Sequence, residues 1–154
     1  MIQRLQTVYL LIAGVLIGSL FFVPFAEITA KGANIYRYDL MGIYPGGIQK
    51  PEFVSGSLPL LLVWITSLML ILTTIFKFKN RILQMKLARI IIFIQLGFCG
   101  LIYYYLWSGS RALQGIYLIK IYLAFPIISA ILIYLAIKAI AKDELLVRSI
   151  DRIR

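Results

Sequence analysis

Four uncharged apolar stretches, Leu5 to Ala26, Leu58 to Phe76, Ile90 to Trp107 and Ile121 to Ile137, fill about half of this 154-residue chain. An α-helix rises ~1.5 Å per residue, so ~20 apolar residues cross the ~30 Å hydrocarbon core of a bilayer. The pattern predicts an all-α membrane protein, a four-transmembrane-helix bundle with spans at about 6–26, 58–76, 89–107 and 118–141. Residues 1–154 then form a single integral membrane domain, closed by a cytoplasmic amphipathic helical tail over 142–154. The hydrophobic fraction of 62% exceeds the roughly 45–50% of soluble domains and excludes a chain surrounded by water. The first stretch is too long for a secretory h-region and is interrupted by Pro24, so it is expected to be retained.

Charge sets the expected orientation. Of sixteen Lys and Arg, eleven fall on one side of these spans: Arg4 before the first, Lys77 to Arg89 in the second connection, and Lys138 to Arg154 at the close. On the other side Lys31, Arg37 and Lys50 are offset by Glu27, Asp39 and Glu52, with Arg111 and Lys120 in the third connection. Positive residues stay inside, so both termini are expected in the cytoplasm. The net charge of +10 reads as a topology signal and an attraction to anionic lipid headgroups, not as a nucleic-acid surface.

Within the spans, Gly14 and Gly18 form a GxxxG that lets another helix approach closely, whether from the same chain or from a second copy. Pro24 is expected to bend or end the first helix, and Pro126 to kink the fourth. Gln95 is the strongly polar side chain deep in a span, and an amide in hydrocarbon needs a partner, so it should face the bundle interior or another subunit, as interhelical glue. Tyr103, Tyr104, Tyr105 and Trp107 read as an interfacial belt, and Lys120 and Lys138 are placed to reach the two interfaces.

Outside the spans, Glu27 to Ala30 and Asn34 to Leu40 read as a short β-hairpin around Lys31-Gly32-Ala33, with Tyr36, Tyr38 and Leu40 on one face. Pro45-Gly46-Gly47 and Pro51 mark irregular chain after it. In the tail, Leu146, Ile150 and Ile153 recur at helical spacing beside the pairs Glu144/Arg148 and Arg148/Asp151. That stripe requires a cover, and the sequence leaves open the membrane face, residues 78–87, or another protein.

Absences narrow the function. The chain has no His, its six Asp and Glu lie outside the spans, and Cys99 is its one cysteine. A haem ligand, a metal cluster, an intramembrane proton relay and a thiol-exchange pair all lack residues, and no phosphate loop or nucleophile motif occurs. A non-enzymatic protein with no cofactor and no metal is expected.

Three segments, Met1 to Leu11, Phe78 to Leu87 and Lys142 to Arg154, resemble an uncharacterised four-helix family of Bacteroidota membrane proteins classed as a domain of unknown function. The resemblance runs the length of the chain, implies an inner-membrane location and carries no activity. It also implies that recognition sits at the cytoplasmic ends. The contact residues expected there are Arg81, Gln84, Lys86, Arg148, Asp151 and Arg152. The leading expectation is an accessory or scaffold subunit of a larger inner-membrane complex in secretion, envelope assembly or respiration. The alternative is a small transporter or a lipid- or neutral-solute-binding protein, with a cavity near Gln95 and Trp64.

Overall fold

The structure is a computed structural model that describes residues 3–30, 34–46, 55–78 and 80–151, with side chains described for all of these except 3, 4, 55 and 147–151. Four helices form a bundle: α1 (Gln3–Ser19), α2 (Leu58–Phe76), α3 (Arg81–Ala112) and α4 (Phe125–Asp151). Each packs on its neighbours in sequence, and α1 closes the ring against α4. Residues at alternating three- and four-residue intervals turn inward. They are Gln6, Leu10, Ala13, Ile17 on α1; Ser67, Ile71, Thr74 on α2; Gln84, Ala88, Ile91, Gln95, Phe98 on α3; and Ser129, Ile133, Ala136, Ile140, Asp143 on α4. This spacing keeps one stripe of each helix facing its neighbours, while Leu, Ile, Phe and Met side chains cover the outside, as suits a lipid surround.

Three helices, α2, α3 and α4, are long and apolar enough to cross a membrane. α3 has 32 residues and α4 has 27, about 48 Å and 40 Å of helix, so both run past a ~30 Å core. α1 has 17 residues and stops at Ser19, seven residues short of the span expected over 6–26. Pro24 lacks an N–H and disfavours helix in the residue before it, and Ala26 is recruited into a strand. The fourth span expected over 118–141 is also redrawn, because residues 116–119 form a strand and a short 3-10 turn covers Ile121–Ala124. α4 therefore starts at Phe125, which puts Pro126 in its first turn, where a missing N–H leaves no bond unmade, instead of at a mid-span kink. The tail continues α4 without a break to Asp151.

The fold is not purely α. In place of a lone hairpin there is an antiparallel sheet of five strands: β1 (Ala26–Thr29), β2 (Ile35–Tyr38), β3 (Gly42–Pro45), β4 (Ser55–Gly56) and β5 (Ile116–Ile119), in the order β4-β3-β2-β1-β5. The expected hairpin is β1 with β2, pairing Ala26 with Tyr38 and Thr29 with Ile35. Residues 42–45 form β3, which takes in Pro45, the first residue of the stretch expected to be irregular. Their turn is set by the Asp39 carboxylate, which accepts the Met41 amide at 2.9 Å, and by Gly42 at φ 146°, open only to glycine. β5 comes from the α3–α4 connection and pairs with β1, Ile119 opposite Ala26 and Ile116 opposite Thr29. Both connections thus lie at one end of the bundle, joined by hydrogen bonds.

The inner face of the sheet, Ala26, Ile28, Tyr38 and Ile43, is buried against the extension of α3 beyond the end of α1. Gly109 of α3 sits directly under Ile43 and Ile28, and the Phe25 ring meets Tyr38 and Phe98 edge-on. α3 ends in a tight reversal in which Gln114 takes φ 47° and Gly115 presses on the Thr29 carbonyl. A Cβ at Gly115 would stand 2.6 Å from that oxygen, whereas one at Gly97 would meet nothing within 4 Å. Gly115→Ala is expected to destabilise the fold by about 1–3 kcal/mol through forced separation of β5 from β1. Gly97→Ala is expected to stabilise it by about 0.5–1 kcal/mol through helix propensity. Unfolding in mixed dodecylmaltoside and SDS micelles reads both, and equal effects would contradict this packing.

Candidate functional site

Polar side chains on the inward stripes gather mainly at the end of the bundle away from the sheet. Asn80 caps α3 by accepting the Leu83 amide at 3.1 Å, which fixes the first turn and aims Arg81 at α4. The Arg81 guanidinium lies 3.0 Å from the Asp143 carboxylate and 3.7 Å from that of Glu144, with all three side chains mostly shielded. One turn along α3, Gln84 is fully buried, and its amide donates to the Thr74 carbonyl of α2 at 3.1 Å. Gln6 of α1 is also buried here, its side-chain nitrogen without a partner. The second connection, the start of α1 and the end of α4 therefore meet at one place.

Deeper in the bundle Gln95 is fully buried, as its chemistry requires, and donates to the Ser67 hydroxyl of α2 at 2.9 Å. Its amide oxygen has no partner. The Trp64 indole N–H donates to the Ile17 carbonyl at 2.7 Å, tying α2 to α1 near the helix end. Gly14 and Gly18 face α2 as well, where a Cβ on Gly14 would come 3.3 Å from Ile71. The close approach that the GxxxG permits is thus made within the chain.

Of the expected contact residues, Gln84 is bonded to α2 and Arg81 to α4, since a shielded amide or guanidinium is stabilised by an internal partner. Lys86 is exposed, among a collar formed with Lys77, Arg89, Lys138 and Lys142. Arg148 and Asp151 are on α4 with side chains outside the described set, and Arg152 lies outside the described residues. Asp143 and Gln6 are residues whose roles sequence reasoning passed over. The α3 row Gln84, Ala88, Ile91, Gln95 carried the available signal, placing two amides on one helix face three turns apart.

Clefts open on the surface among the described residues. One, about 600 Å³, lies between α1 and α2 beside the polar cluster and is lined by Gln6, Thr7, Leu11, Ile75, Phe76 and Phe78 among others. A second, about 390 Å³, runs between α2 and α3 over Leu62, Thr66 and Gly97. A third, about 260 Å³ at the sheet end, involves Phe21, Phe22, Arg37, Asp39 and Tyr44. Burial raises the Asp39 carboxyl above its ordinary range, opposed by the Met41 and Gly42 amides that hold it as a turn former. Burial likewise pushes up the Tyr38 phenol, whose hydroxyl is enclosed without a partner. Lys120 pairs with Glu27 at 3.0 Å, and the Arg111 guanidinium covers the Trp107 ring at 4.2 Å. Among the described residues no group of His, Cys, Asp and Glu is arranged to hold a metal ion.

Fold and polar architecture together define a helical membrane protein with a small interlocking sheet at one end. The chain belongs to the family described as Domain of unknown function (DUF4293), matched over residues 2–153. A comparison with curated proteins finds no match.

Two substitutions separate the roles of these contacts. Gln95→Leu is expected to lower stability by about 1 kcal/mol, the usual scale of an interhelical hydrogen bond in a membrane. Arg81→Ala is expected to cost about 2–3 kcal/mol, because it strands the Asp143 carboxylate against α3, and Asp143→Asn should recover part of that loss. Thermal unfolding in detergent measures both; an Arg81→Ala protein as stable as the parent would exclude the clasp.

Proposed function

We propose that this chain is a non-enzymatic accessory or scaffold subunit of a larger complex in the inner membrane, crossing it four times with both termini in the cytoplasm. The observation that carries this reading is the use made of the interior. Gln95, Gln84, Trp64 and Arg81 each reach another helix of the same chain. Polar groups so engaged hold helices together, and interaction is left to the surfaces.

Two surfaces support it. The collar of Lys77, Lys86, Arg89, Lys138 and Lys142 is exposed at the end where the positive-inside pattern places the cytoplasm, suited to anionic headgroups and to acidic faces of neighbouring subunits. The continuation of α4 past Lys142 carries exposed Leu145 and Leu146 beyond the Arg81 clasp, an apolar edge at the same end. The 17 residues of α1 span about 26 Å, a short crossing that local bilayer thinning accommodates.

Purification in mild detergent at native expression, followed by mass spectrometry, tests the reading. Recovery with stoichiometric membrane partners is expected, and recovery free of any other protein would overturn it. An impermeant thiol reagent applied to intact spheroplasts is expected to leave a cysteine at either terminus unlabelled in a Cys99→Ser background.

A second reading, binding of a lipid or neutral solute, is favoured by the cleft between α1 and α2. Gln95 and Trp64, near which the sequence suggested a cavity, bond to the Ser67 hydroxyl and the Ile17 carbonyl. The cleft beside Gln6 combines apolar walls with an amide donor that lacks a partner, a pairing suited to an acyl ester. Leu11→Trp, which narrows this cleft, is expected to reduce lipid retained through delipidating washes; unchanged retention would remove this reading.

A further inference from the structure

The two edges of the sheet are unlike. β4 ends it after two residues, Ser55–Gly56, a length that offers little to pair with. β5 presents four, Ile116–Ile119, in unbroken register with β1 and with no strand on its other side among the described residues. It contains no charge, no proline and no bulge, the devices by which proteins keep open edges from pairing. Three of its four side chains are apolar and exposed, Ile116 at 78%, Leu118 at 62% and Ile119 at 52%, while Tyr117 is half-buried.

Where the apolar surface lies tells where a cover must sit. Glu27, Thr29 and Arg37 occupy the outer face at the middle of the sheet, polar groups that suit water, with Ile35 exposed beside Thr29. Ile116 and Leu118 share that face, opposite Thr29 and Glu27, and are apolar at the rim. A partner lying over the sheet would bury the charges, whereas a strand beside β5 covers the rim and leaves the middle wet. Free backbone N–H and C=O groups flanked by apolar side chains are costly to leave unpaired near lipid, and an added strand supplies their bonds.

We propose that the occupant is a second copy of this chain, pairing its β5 with the first to join two five-stranded sheets. Membrane insertion holds every copy at one depth and in one orientation, so the complementary edge that is always level with β5 is another β5. A two-fold interface of this kind is isologous, each edge meeting itself. Self-pairing also meets no electrostatic penalty in a chain of net charge +10, because the strand is neutral and the adjoining Lys120 is held by Glu27 at 3.0 Å. This inference concerns self-association and is independent of the accessory-subunit reading.

The test is crosslinking in native membranes, with Cys99→Ser as background. Ile116→Cys or Leu118→Cys, treated with a short homobifunctional thiol reagent, is expected to give a species of twice the chain mass, and Arg37→Cys, two strands inward, none. Adding Leu118→Lys to the Ile116→Cys protein is expected to abolish that species, since a lysine on each edge repels its copy. Leu118 is exposed, so the fold should persist, as circular dichroism will show. Ile116→Lys with Leu118→Cys repeats the measurement should the first variant misfold. Equal crosslinking at position 37, a dimer indifferent to both lysines, or an adduct with a protein of different mass would each overturn the proposal.

Discussion

An amide or a guanidinium enclosed among apolar side chains must find its bonding partner on a neighbouring helix, and the bundle is arranged around that requirement. Lipid surrounds leucine as well as protein does, so apolar stripes alone give little reason for these helices to meet in one register. Gln95 with Ser67, Gln84 with the Thr74 carbonyl, and Trp64 with the Ile17 carbonyl each join α2 to another helix. Arg81 with Asp143 joins α3 to α4. Each bond is an alignment that a helix slipped by one turn would lose.

The sheet solves a different problem. α1 stops at Ser19 while α3 continues to Ala112, so one wall of the bundle is shorter than its neighbour. β1, β2 and β3 cover the exposed flank of α3, burying Phe25, Ile28, Tyr38 and Ile43 where a longer α1 would have lain. Drawing β5 from the α3–α4 connection ties the two connections at this end, so the strands resist separation of α1 from α4. The same arrangement leaves β5 at the rim.

Two ends with opposite character result. One gathers basic side chains around a buried ion pair, and the other exposes apolar and aromatic residues beside a neutral sheet edge. Among the described residues neither end holds a group of His, Cys, Asp and Glu arranged to bind a metal ion.

Length and hydropathy by themselves determined that helices of membrane-crossing character dominate the chain, and the inward position of Gln95 followed from the cost of an unpaired amide in hydrocarbon. The β1–β2 hairpin was legible too, since Tyr36, Tyr38 and Leu40 recur at every second residue after a glycine-containing segment. Tertiary structure alone decided the rest. Leu118 and Ile119 read as the start of the fourth span until β1 offers residues 116–119 backbone partners, because a short apolar run has no periodicity of its own. Arg81 and Gln84 read as surface residues near a charged loop, yet the register of α3 against α2 and α4 turns them inward. Sequence spacing fixes which face of a helix a residue occupies, but only the neighbouring helix decides whether that face is covered.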